Sequence, residues 1–425
     1  MEQGGNTETP ALDPKLAKAI IHKLGSFGTP PEFGIEYFSV GVEQYLKVIE
    51  EEYLKDILKY SLSSFKLITG NYGGGKTHFL YLVRNLGWRN NYVTTYVTLS
   101  PTECPFDRLE LVYKSIVLNL RLPVKPDMWT KPWDVGIDVL LRHWVESAEQ
   151  GNILAQVRSF ESSSFTNAIK AAVVNLVSDD DEGFLEVIQW LKGEEIPREL
   201  RLRYRISERM DRSNAFRMLR SLVQFVSSIG YSGLLLLFDE AERGMSISSA
   251  RDKRRALDNL RQLVDECGNS RLPGAMFFYA IPDENLLLEG SGGVYEALKQ
   301  RLRSSFTRVN PMGVKVNLED IGVDPTGFLT ELGDKLARVF QVAYDCRLEV
   351  ETLHESLKNM VDAALEFQAL DISYRRIFVI GTVEIFHRLK ERTVVIKKEE
   401  AQQIFRSKVK MLTDAEKQAV ESEEF

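Results

Sequence analysis

Cysteine is scarce: Cys104, Cys267 and Cys346 are the only three in 425 residues. They lie too far apart to form a metal quartet or a disulfide framework, which excludes zinc modules and disulfide-built secreted scaffolds. A reducing cytoplasm is the expected setting. No run of about 18 apolar residues occurs, so no membrane-spanning helix is expected, and the polar start of the chain lacks the apolar stretch of an export signal. Positive charge is not in excess either. With 54 Lys and Arg against 61 Asp and Glu, the net charge is −7, and no global basic field advertises nucleic acid. What remains is ordinary for a globular protein: 44% hydrophobic and 27% charged residues, in a chain long enough for two or three domains with a sizeable core.

The most informative segment is Gly70-Asn71-Tyr72-Gly73-Gly74-Gly75-Lys76-Thr77, which fits the phosphate-binding pattern G-x-x-x-x-G-K-[ST]. Phe65 to Thr69 before it reads as a short apolar strand, and His78 to Val83 after it opens a helical pattern. Glycines let backbone amides curl around an anion, and the helix N-terminus adds its positive end. Lys76 is expected to reach the β- and γ-phosphates, and the Thr77 hydroxyl to ligate Mg²⁺. His78 has two readings, a contact to nucleotide or packing beneath the loop.

A second segment, Leu234-Leu235-Leu236-Leu237-Phe238-Asp239-Glu240, reads as a central parallel strand covered on both faces and ending in two acids. Asp239 is expected to hold the metal and Glu240 to orient and deprotonate an attacking water. A base next to the metal acid favours hydrolysis of ATP over transfer to another acceptor.

The expected fold class is α/β, a parallel sheet carrying the phosphate loop. A polar tail over 1–14, expected to be disordered, precedes an ATPase unit over 15–322, with a C-terminal lid over 323–425. Lys15 to Leu24 has helical spacing, Gly28-Thr29-Pro30-Pro31 is a turn-rich connector, and Val42 to Leu58 is a second helical stretch that can line a base pocket. Tyr92 to Leu99 reads as a strand. Roughly 160 residues separate Lys76 from Asp239, more than short connections need, so a helical insertion is placed at about 105–230. Its helices are expected at Leu109 to Leu120, Trp133 to Glu149, Phe165 to Val177, Gly183 to Leu191 and Asn214 to Ser228. The acidic run 178–183 reads as a solvated turn. Arg251 to Cys267 is a charged amphipathic helix, Gly274 to Ile281 a buried strand, Tyr295 to Arg303 a helix and Lys315 to Leu318 an edge strand. Ala280-Ile281-Pro282 offers no polar side chain where related ATPases often sense the γ-phosphate.

Five stretches, Phe38-Ser39-Val40-Gly41, Gly75-Lys76-Thr77-His78-Phe79-Leu80, Asp211-Arg212-Ser213-Asn214-Ala215, Leu237-Phe238-Asp239-Glu240-Ala241-Glu242 and Arg271-Leu272-Pro273-Gly274, resemble the D-type ATP-binding proteins of bacteriophage-exclusion (BREX) defence systems. The resemblance spans roughly Ala17 to Arg388. It implies an AAA+-like module of the origin-recognition kind with a helical or winged-helix lid, acting in the cytoplasm with other defence-system proteins. ATP and Mg²⁺ are the implied cofactors, and a homo-oligomer and DNA engagement the implied associations. ATPases of this class complete their sites with arginines, often from a neighbouring subunit. Arg301, with Arg303 as rival, is the expected finger, and Arg376 or Arg375 the expected contact from the lid. Three functions compete on these residues: an ATPase driving assembly or DNA engagement, a slow switch with negligible turnover, and a DNA-binding loader using His387, Arg388, Lys390, Arg392, Lys397 and Lys398.

Overall fold

The computed structural model describes residues 11–423 apart from 125–130, 132, 149–152, 246–248, 284, 286–292, 321 and 369–372. Six strands, β1 (Ser64–Thr69), β2 (Tyr92–Thr98), β3 (Leu120–Arg121), β4 (Gly233–Asp239), β5 (Ala275–Ile281) and β6 (Lys315–Asn317), form one sheet in the order β3-β2-β4-β5-β1-β6. All pairings are parallel except β2 with β3. The phosphate-loop strand therefore does not pair with the strand that ends in Asp239. β5 stands between them.

Side chains alternate across the sheet, as the period of two requires. Leu234, Leu236 and Phe238 enter one core with Phe277 and Tyr279, while Leu235 and Leu237 enter the other with Met276 and Phe278. Both faces are covered, which is why these strands carry unbroken apolar runs. The first helices are α1 (Pro14–Phe27), α2 (Glu43–Val48) and α3 (Lys76–Arg89). Asp13 caps α1 by accepting from the amides of Lys15 and Leu16, and Pro14 supplies a preset φ at its first position. Residues 1–10, where most of the polar tail is expected, lie outside the described residues.

Between β2 and β4 come α4 (Leu109–Leu118), α5 (Ile137–Ser147), α6 (Ile153–Gln156), α7 (Ser163–Val177), α8 (Asp181–Leu191), α9 (Arg198–Arg203) and α10 (Ala215–Ser228). The helix expected at Trp133 starts only at Ile137, behind Gly136 with φ 118°, and its expected end at Glu149 lies outside the described residues. The long stretch expected over Val42 to Leu58 is shorter: α2 widens into a π-helical turn over Ile49–Leu54 and then a 3₁₀ turn over Ile57–Tyr60. After β4 follow α11 (Ala241–Gly244), α12 (Ala250–Gly268) and, beyond β5, α13 (Gly293–Leu302). The chain ends in α14 (Pro325–Tyr344), α15 (Val350–Gln368), α16 (Tyr374–Glu391) and α17 (Lys398–Glu423), with no strand among the described residues from 323 onward. α1 packs against α14 and α16, so the start of the chain sits in the bundle formed by its end.

Lys66 on β1 is 1% exposed. Its ammonium donates to the Gly313 carbonyl at 2.6 Å and to the Tyr53 hydroxyl at 2.7 Å, and lies over the rings of Tyr53 and Phe306 at 4.3 and 4.6 Å. These contacts tie β6's approach loop to β1 without a carboxylate. Burial lowers the Lys66 pKa to about 7, so between that value and the ordinary 10.5 the unfolded chain binds the extra proton. Stability then rises with pH through this window. In denaturant unfolding, the wild type should gain about 2 kcal/mol relative to Lys66→Met from about pH 7 to about pH 9, at roughly 1.4 kcal/mol per pH unit.

Candidate nucleotide site

The phosphate loop runs from the end of β1 into α3. Gly73 and Gly75 take positive φ, 74° and 95°, a conformation that costs a residue without a Cβ nothing. Lys76 folds back over the loop and donates to the carbonyls of Gly70 at 2.7 Å and Asn71 at 3.1 Å, with its ammonium 5.2 Å from the Tyr72 ring. Burial lowers its pKa, and the carboxylates of Glu242, Asp239, Glu319 and Glu240 oppose that shift. The loop is thus ordered by its own contacts.

Thr77 at the start of α3 donates to Asp239 Oδ2 at 2.6 Å. The same oxygen accepts from the Tyr96 hydroxyl at 2.5 Å, and Asp239 Oδ1 accepts from the Glu240 amide at 2.9 Å. Asp239 is 3% exposed, and this set of donors satisfies a carboxylate that water scarcely reaches. Glu240 takes positive φ, 50°, and its carboxylate pairs with Arg243 at 3.0 Å. Glu242, two residues on, is half-buried, and burial raises its pKa.

Asp239, Glu240 and Glu242 line a cavity of about 440 Å³ with Gly73 to His78, Arg375 and Arg376. Its opposite wall is apolar: Leu24, Pro30, Phe38, Val40, Leu332 and Val379. The size and the pairing of an apolar wall with a polar loop match a nucleotide, base at one end and phosphates at the other. Pro30, Phe38 and Val40 of this wall lie in the segment after α1, which α3 anchors, while Leu24, Leu332 and Val379 come from α1, α14 and α16. Arg84 on α3 donates to Glu32 Oε1 at 2.8 Å and stacks on Trp88 at 4.4 Å, and Asn85 donates to Glu36 at 2.7 Å. His78 Nε2 meets Ser39 Oγ at 2.7 Å while that hydroxyl donates to the Ile35 carbonyl, so the ring nitrogen is the donor. Burial pushes the His78 pKa down to about 4, and the ring is neutral at physiological pH. His78 lines the cleft and also packs behind it.

The arginines separate. Arg375 donates to the carbonyls of Gly74 at 3.1 Å and Leu318 at 3.3 Å and pairs with Glu319 Oε2 at 3.1 Å. Glu319 Oε1 in turn accepts from the Asn71 amide at 3.0 Å. α16 is therefore fastened to the outer side of the phosphate loop. Arg376 is on the cleft wall and donates to the Phe27 carbonyl at 2.8 Å. Arg301 does not line this cavity; it makes a forked ion pair with Asp265 on α12. Arg303 is exposed.

Away from the cleft, Asp180 caps α8 by accepting from the Gly183 amide, and Asp181 pairs with Arg142. No cluster of three or more His, Cys, Asp or Glu suited to a metal occurs among the described residues. The basic C-terminal positions are partly neutralised: Arg388 pairs with Glu384 and Glu400, Lys398 with Glu366, and His387 packs edge-on to Phe340 and Tyr344. Sequence reasoning missed Tyr96, Glu319 and Glu242 as site residues. Only Glu242 left a signal, as the last acid of Asp239-Glu240-Ala241-Glu242; the other two reach the site through strand pairing.

Removing Arg375 would leave Glu319 without its cation and α16 without its grip. Arg375→Ala should lose about 2 kcal/mol in chemical denaturation, and Arg375→Lys should recover less than half of it, since an ammonium cannot reproduce the fork.

A family model for the BREX system ATP-binding protein BrxC/D matches residues 12–404 of the chain. No curated relative and no solved structure matches it. No described helix is long and apolar enough to cross a membrane.

Proposed function

The chain belongs to the BREX system ATP-binding BrxC/D family, an ATP-binding component of a phage defence system, and from that premise we propose that it hydrolyses ATP in the cleft between the phosphate loop and the end of β4. The match covers C and D types alike. One observation carries the reading: Thr77 Oγ1 and Asp239 Oδ2 meet at 2.6 Å beside the loop that Lys76 closes.

In this reading Gly73, Gly74, Gly75 and Lys76 bind the phosphates, the apolar wall takes the base, and α3 lends its positive end. The donor set suits Mg²⁺, one hydroxyl and one carboxylate with the remaining positions left to phosphate and water. The ion would neutralise phosphate charge when bound. A carboxylate following Asp239 takes the proton of the attacking water; the sequence pattern assigns that part to Glu240. Arg376 is the same-chain cation for the phosphates, and Arg301 the candidate to serve a neighbouring copy. Nucleotide state would reach other defence proteins, and DNA if it is bound, through the contact of α16 with the phosphate loop.

A second reading, a slow switch, draws on β5. Its end contributes buried Ala280 and Ile281, and no side chain from it lines the described cavity. Phosphate release measured with and without DNA separates the two. Hydrolysis in excess Mg²⁺ is expected in the wild type. Lys76→Ala should weaken ATP binding by at least about 100-fold, and Asp239→Asn should cut turnover by about 10²- to 10³-fold. Unchanged rates in both variants would refute the assignment of the cleft, and tight ATP binding with negligible turnover would leave the switch.

A further inference from the structure

We propose that Tyr96 is a positioning residue for the metal: its hydroxyl fixes the Asp239 carboxylate in the orientation that Mg²⁺ meets. The proposal rests on the reading of the cleft as a site for ATP with its metal.

Tyr96 lies on β2 and does not line the cavity, so whatever it does there it does through another residue. It pairs in register with Leu237, two residues before Asp239. The period of two therefore turns Tyr96 and Asp239 to the same face of the sheet, the face that α3 covers. The two positions are offset diagonally, which only a long side chain can span. Tyrosine spans it, and its hydroxyl donates to Asp239 Oδ2 at 2.5 Å.

Three elements thus hold one carboxylate. Thr77 from α3 and Tyr96 from β2 donate to Oδ2, and the Glu240 amide after β4 donates to Oδ1. Thr77 is also the hydroxyl placed to give its oxygen to the ion, so its bond to Asp239 must adjust when the ion binds. Tyr96 has no such second task. It is the side-chain donor that can keep Asp239 in place throughout, and Mg²⁺, which demands near-ideal octahedral geometry, is sensitive to a ligand left free to turn.

Tyr96 is itself held from α3. The Tyr81 ring lies 5.0 Å from that of Tyr96, and the two hydroxyls are hydrogen-bonded. An ionised carboxylate only accepts, so the Tyr96 proton points to Asp239 and Tyr81 donates to the Tyr96 oxygen. Donors in series strengthen one another. The Arg84 guanidinium lies over the Tyr81 ring at 4.7 Å. Thr77, Tyr81 and Arg84 follow one another along one face of α3, so the helix that carries the phosphate loop also braces the hydroxyl behind the metal acid.

The test uses the full chain and the non-hydrolysable ATP analogue AMP-PNP, with affinity measured by calorimetry in EDTA and, separately, across a series of Mg²⁺ concentrations. Tyr96→Phe, which removes one oxygen, should bind AMP-PNP in EDTA within about threefold of wild type but need about 10- to 100-fold more Mg²⁺ for half of the metal-dependent gain, the range for a lost partner behind a metal ligand. Tyr81→Phe keeps the Tyr96 bond to Asp239 and should stay within about threefold of wild type in both measurements. An unchanged Mg²⁺ requirement in Tyr96→Phe overturns the proposal. So does a loss of affinity in EDTA as large as the loss in Mg²⁺, which would mean a damaged cleft, or an equal shift in Tyr81→Phe, which would mean that packing of the two rings matters and the bond does not. Each of these leaves the wild type responding to Mg²⁺ and the reading of the cleft intact, whereas a wild type whose AMP-PNP affinity ignores Mg²⁺ overturns both.

Discussion

The bond between the Thr77 hydroxyl and the Asp239 carboxylate depends on how three strands end. β5 separates β1 from β4, so the loop and the acid cannot meet by direct strand pairing. They meet because the strands finish level: Thr69 at the end of β1 pairs with Ile281, and Phe238, just before Asp239, pairs with Tyr279. α3 then leans across the end of β5 and carries Thr77 to within 2.6 Å of Asp239. A slip of one residue in the β4–β5 pairing would move Asp239 to the other face, and one in the β1–β5 pairing would displace the loop; either disperses the site. The apolar bulk of β5, fully buried from Ala275 to Ile281, holds this register.

Much of this was legible in the chain. Residues whose role is local, such as Gly70 to Thr77, the β4 run and the helix around Leu257 and Leu260, announce themselves through spacing, because the constraint and the signal lie within a few positions. Contacts that depend on pairing left no such trace. Tyr96 reaches Asp239 because β2 lies beside β4, and Glu319 reaches the Asn71 amide because β6 lies beside β1. The two-residue β3 was hidden for a different reason: so short an element has no period to read. The break of the stretch after Val42 into α2, a π turn and a 3₁₀ turn was hidden as well, since its apolar residues suit a straight helix equally.

Charge within the cleft is arranged by depth. Asp239 is buried and satisfied by three donors, Glu242 is half-buried, and Glu240, also on the cavity wall, is 44% exposed and paired with Arg243. Three acids within four positions thus occupy distinct surroundings, and environment sets what each can do. The same logic separates the adjacent arginines, Arg375 committed to loop carbonyls and Glu319, Arg376 placed on the cleft wall.

α1 lies among α14 and α16, and two stretches of chain lead from this bundle to the sheet: residues 28–41 on one side and 318–324 on the other. The bundle is also held at the cleft itself, because Arg375 on α16 bonds the Gly74 and Leu318 carbonyls and Lys335 on α14 bonds the Ser39 carbonyl. Any shift of the bundle would therefore pull on both connecting stretches and on the phosphate loop at once.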